Sequence, residues 1–342
     1  MFKERLKSLT DKFASRLKNT RLPQFNLLKG MVFFLKSWWQ ILVLAVAAVI
    51  FLYYPLGGWY IENIDTRTDY EIDASHPEQS STVEMMSFII NREVNDKLWT
   101  PNLPFFFPSY FLDNMPSFQQ GMIKAVSNMS LAFSRRLSPR IIDKAHPGSL
   151  KEAAELLQYP GTIWMFSPDN KLVPAPSSTR QYRKARRRLI RYNEALAAGV
   201  ETFYRNPQDL SYFLKRGESG LRRSSEDLES RIREYSSSWY DGKADDTFYY
   251  NRGKAYGYYL LFKALGHDYQ DIIVSSGEYE NWTRMLKSLE EAAEISPLMV
   301  RNGMLDSSFA PNHLAYLNAS IQKAQNLLLK IAARLPVNNK DK

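Results

Sequence analysis

Four histidines are the first residues to test for chemistry: His76, His146, His267 and His313. None has a second histidine three or four positions away, so no helix face offers a metal pair. The His-Glu-x-x-His spacing of a helical zinc site is also absent. The chain has no cysteine, which excludes a thiol nucleophile, a disulfide framework and any Cys-based metal or iron–sulfur centre. No Gly-x-Ser-x-Gly elbow and no phosphate-cradling glycine loop occurs. No catalytic residue, metal site, cofactor or nucleotide is therefore assigned.

One echo of catalysis is GESG, residues 217–220. It resembles the Glu-Ser start of the lytic transglycosylase motif, in which a glutamic acid protonates a glycosidic oxygen of peptidoglycan. The chain continues as LRRSSEDLESRI, without the glycine-rich turn and Met-Gln that complete that motif. Glu218 also lies in a polar helical stretch with no obvious pocket around it. An enzyme acting on peptidoglycan or a lipid-linked glycan needs carboxylates that only the fold brings together, with Glu218 and Asp113 the residues to name.

Two stretches point to binding rather than turnover. Residues 104–116, PFFFPSYFLDNMP, place Phe105, Phe106, Phe107, Tyr110 and Phe111 among prolines that forbid a continuous helix. Covering one end of the core is their ordinary use. Docking on a membrane surface, lipid or lipopolysaccharide handling, and seating a protein partner are the others. Residues 180–191, RQYRKARRRLIR, carry seven basic side chains, Arg186, Arg187 and Arg188 among them. They cover the helix surface away from Tyr182, Leu189 and Tyr192. The run is either a solvated face paired with acids such as Glu226, Asp227 and Glu229, or a surface for an anionic headgroup or an acidic protein face.

The elements that position these residues begin with residues 38–60, WWQILVLAVAAVIFLYYPLGGWY, which carry no charge over 23 positions. As a helix they span about 34 Å, enough to cross a bilayer core of about 30 Å. Trp38 and Trp39 stand at one end and Tyr53, Tyr54, Trp59 and Tyr60 at the other, as water interfaces favour. Pro55 and the Gly57–Gly58 pair are expected to end the helix. A cleaved signal peptide would have a shorter apolar core and a charged region of only a few residues. The net charge of +9 misleads about nucleic acid, because residues 1–36 hold nine basic residues and two acids, leaving the rest of the chain nearly neutral. Six acids against Arg67 follow the span in residues 61–79. By the positive-inside rule residues 1–36 form a basic cytoplasmic arm, 37–60 span the membrane, and 61–342 lie outside the cytoplasm, which in a Gram-negative cell is the periplasm. Phe2, Leu6, Leu9, Phe13 and Leu17 recur at helical spacing in the arm, fitting a basic amphipathic helix on inner-membrane lipid.

Beyond the span, helical periodicity dominates and strand alternation is scarce. Helices are expected over 115–137, 149–158 (with a Ser149/Glu152 capping box), 178–204, from about 207 to 235, 245–266 (closed by Gly266), a short piece at HDYQDII (267–273), 277–295, and 314–335. The fold class is mainly α: one N-terminal transmembrane helix and an all-α exported bundle of some seven to nine helices. A lobe boundary is possible near 165–178.

DNMPSFQQG (113–121) with FFFPSYFLD, then RQY…RRLIRYNEALAAGVETFYR and YYNRGKAYGYYLLFKALGHDYQDII, resembles an uncharacterised family of bacterial inner-membrane proteins, domain of unknown function 2333. The resemblance covers nearly all of the chain beyond residue 38. It implies a proteobacterial single-span envelope protein and brings no activity, substrate or site residue. The reading that results is a single-pass inner-membrane protein, a non-enzymatic scaffold or interaction module with an envelope protein partner and no nucleic acid.

Overall fold

The computed structural model describes residues 24–70, 76–137, 148–167, 170–235, 243–297, 299–302 and 312–336. Residues 1–23, where most of the basic arm falls, lie outside them. Helix α1 runs Gln24–Ile61, and its Trp38–Ile61 stretch is long and apolar enough to cross a membrane. Pro55 does not end it. The last turn persists to Glu62, whose N–H donates to Gly58 O at 2.8 Å. The sequence expectation of a stop at Pro55–Gly58 thus gives way to tertiary contact. A Cβ on Gly57 would stand 2.5 Å from Pro108, so the glycine is there to admit that proline, while Leu112 packs over Gly58.

Contacts divide the chain into Met1–Leu56 and Gly57–Lys342. The second unit is built from α2 (Ser81–Asn91), α3 (Asn114–Leu137), α4 (Ser149–Leu157), α5 (Ser178–Ala197), α6 (Pro207–Tyr235), α7 (Ala244–Asp268), α8 (Gln270–Ser275), α9 (Tyr279–Glu294) and α10 (His313–Arg334). The described residues hold one two-stranded antiparallel hairpin, β1 (Phe166–Ser167) with β2 (Asn170–Pro174).

Helix α7 is buried on most of its circumference. It packs along α3, with α2 beside them and α6 and α9 on further faces. Small residues allow the α3–α7 approach. A Cβ on Gly121 would collide with the backbone of Tyr250, and one on Gly253 with the backbone of Phe118. Each helix therefore seats its glycine against the other's main chain. Helices α4 and α5 pair with each other, as do α6 and α10, whose Leu317, Ile321, Ala324, Leu328 and Ile331 are buried. That burial follows the alternating three-and-four spacing of an amphipathic stripe.

Three local expectations are corrected. Gly148, not Ser149, caps α4: Glu152 N–H bonds Gly148 O at 2.6 Å, while the Glu152 carboxylate turns outward to Arg188. Helix α5 stops at Ala197, because Gly199 takes a left-handed φ of 69° and redirects the chain. Helix α7 passes through Gly266, which makes room for the Trp282 ring and not for a turn.

Candidate functional site

The segment after α2 is held from behind. Trp99 Nε1 donates to Gly161 O at 2.9 Å, and Thr100 N–H and Oγ1 both donate to buried Gln119 Oε1. Asn102 Nδ2 reaches Ile163 O at 3.0 Å. Pro108 and Ser109 are buried in a short 3₁₀ turn, Pro108–Phe111. The aromatic side chains face the other way: Phe105, Phe106, Tyr110 and Phe111 are 67%, 47%, 54% and 69% exposed, with Phe107 half-buried. They are a surface and not the core plug that is the ordinary use of such a stretch. Phe105 and Phe106 meet edge to face at 5.6 Å, and Tyr110 and Phe111 at 5.5 Å. Trp164 joins from the far side, edge to face with Phe106 at 5.8 Å, followed by exposed Met165 and Phe166. This extension was missed in the sequence, although WMF at 164–166 was an apolar run inside a Pro- and Ser-rich loop.

Pro108 on Gly57 and Leu112 on Gly58 put this surface beside the last turn of α1, where Trp59 and Tyr60 are themselves exposed. The chain leaving that turn is strapped down. Asn114 Nδ2 donates to Glu62 Oε1, Lys97 Nζ to Asn63 O, and Lys263 Nζ to Thr68 O at 2.7 Å. Partial burial opposes ionisation of Asp65, but bonds from the Arg67 guanidinium and the Tyr70 hydroxyl hold its carboxyl below the usual range.

The arginine run lies on α5 and forms a separate surface. Arg188 pairs with Glu152 of α4 at 2.6 Å, Arg187 is exposed, and Arg186 is half-buried with its Nε unbonded among the described residues. With Lys184, Arg191 and Glu155, residues Arg187, Arg188 and Glu152 line a groove of about 590 Å³ that includes none of the five aromatics. Among the described residues the acid that meets the run is Glu152 of α4, the helix packed on α5.

The remaining chemistry-bearing residues disperse. Glu218 accepts from Gln325 of α10 at 2.9 Å and faces Arg222, a structural tie between α6 and α10. His313 Nδ1 accepts from Arg301 N–H, and His76 and His267 line one small cleft beside Asp268. His146 lies outside the described residues. Among the described residues no three His, Asp or Glu side chains converge to hold a metal. Asp113 does meet other carboxylates, in an open cleft beside the aromatic segment.

One apolar helix long enough to cross a membrane and an all-α bundle define the class of molecule. The chain belongs to a family of uncharacterized proteins conserved in bacteria, DUF2333, whose profile matches residues 37–237 and 217–331. No curated protein and no solved structure matches it.

Proposed function

We propose that this is a single-pass protein of the bacterial inner membrane, with its N-terminus in the cytoplasm and its α-helical domain in the periplasm. There it acts as a non-enzymatic scaffold seated on the membrane surface. The observation that carries this is the exposed aromatic surface fixed to Gly57 and Gly58 at the end of the apolar helix. Amphipathic rings at that level prefer the headgroup region, as Trp59 and Tyr60 do at the helix end itself. A domain attached by one helix alone would swing. The same domain with Phe105, Phe106 and Phe111 in the outer leaflet holds a fixed height and tilt, so its remaining faces are presented to envelope partners. The charge asymmetry across the span supports the orientation.

The test is a triple substitution, Phe105→Ser, Phe106→Ser and Phe111→Ser, in the full chain reconstituted in phosphatidylethanolamine–phosphatidylglycerol nanodiscs. With a spin label on exposed Tyr110, changed to cysteine, the parent should show protection from a water-soluble relaxant and access to oxygen. The triple variant should lose that protection without a change in helix content. Equal water access in both would refute the seating.

A further inference from the structure

We propose that the open cleft between α3, α6 and α7 is a binding site for a linear cation bearing several N–H donors, the chemistry of an aliphatic polyamine. The site does not depend on the seating of the aromatic surface, and its test fails separately.

The cleft has a volume of about 710 Å³, within the range of small-molecule sites. Its walls bring together Asp113 at the start of α3, Asp227 and Glu234 on α6 and Asp246 on α7, against Arg231 as the one basic side chain among the described lining residues. The excess charge is felt nearby. The half-buried Asp245 carboxyl is raised above its usual range, by burial first and then by the charges of Asp113 and Asp246. Arg231 in the lining and Lys254, whose charge acts on Asp227, offset only part of this acidic excess.

A second observation points to the kind of cation. Asn251, 1% exposed, lines the same cleft from α7. Its Nδ2 donates to Thr247 O at 3.0 Å, while its Oδ1 is buried with no donor among the described residues. A buried amide oxygen without a donor carries a desolvation cost that an entering N–H group would remove. That orphan is an acceptor, as the carboxylates around it are, and what fits is a donor. A divalent ion gripped directly by the protein fits less well, since no three His, Asp or Glu side chains converge among the described residues. A chain with ammonium groups several ångströms apart meets separated carboxylates one at a time.

The experiment is calorimetric titration of spermidine into the full chain in a non-ionic detergent, at low and at 150 mM salt. Saturable binding at one site, weakened by salt, is expected, and magnesium should displace it poorly. Exposed ion pairs contribute up to about 1 kcal/mol each, so Asp227→Asn and Glu234→Gln should each weaken binding by up to about fivefold. Asp246→Asn, on a different helix, provides an independent variant if either of these lowers helix content. Glu280→Gln, an exposed acid of α9 paired with Arg284, is the control and should leave affinity unchanged. Absence of saturable binding would overturn the proposal. So would equal loss in Glu280→Gln, which marks bulk charge, or full displacement by equimolar magnesium.

Discussion

At the scale of single residues, buried polar groups fall into two kinds. Asp268 is fully satisfied: it accepts from Ser80 Oγ, Ser81 N–H, Thr82 N–H and Thr82 Oγ1, capping α2 from the end of α7. Glu201 is the opposite, 5% exposed with both carboxylate oxygens unbonded among the described residues. Burial pushes its pKa from 4.5 up to about 7. The folded state therefore keeps this proton up to about pH 7, while the unfolded chain releases it near 4.5. Stability contributed by Glu201 is full below pH 4.5 and falls as pH rises through 7. Glu201→Gln should remove that fall, and thermal unfolding of both proteins at pH 5 and pH 8 measures it: the variant should gain relative to the parent only at pH 8. Neither residue was legible in the sequence, because Asp268 and its hydroxyl partners lie almost 190 positions apart and Glu201 has no hydrogen-bond partner among the described residues to signal it. The aromatics were legible as an anomaly, since five rings between prolines are costly to leave in water. Whether they covered a core or faced outward depended on Pro108 and Gly57, which only the fold brings together.

Among the elements, helices with a clean stripe were read to within a residue or two, α10 and α3 above all, because one buried face imposes its period on the sequence. Helix ends were read less well. At Gly266 and at Pro55–Gly58, breaker residues admit a neighbour's ring into a continuing helix. The crossing of α3 and α7 has the same physics. Gly253→Ala would drive a methyl into the Phe118 backbone, and since backbone cannot rotate away as a side chain can, α7 must shift. The expected cost is about 3 kcal/mol, read as a lower denaturation midpoint for the full chain in detergent. A change below about 0.5 kcal/mol would mean that the two helices do not cross as closely as Gly121 and Gly253 imply.

For the molecule as a whole, the sequence supplied an apolar helix, an α-helical body and a charge step between them. It could not supply the acidic cleft, whose carboxylates come from α6, α7 and the residue before α3 and follow no local motif. Nor could it show that Pro108 and Leu112 pack on Gly57 and Gly58, since about 50 positions separate them. In the proposed function that placement is central, and it makes the bilayer itself the first partner of the exported domain. The most direct measurement is photocrosslinking in living cells from a photoreactive residue replacing Phe106, with mass spectrometry of the captured species. Phospholipid adducts should dominate. Capture of one envelope protein in place of lipid, or adducts confined to the chain itself, would contradict the seating of this surface in the membrane.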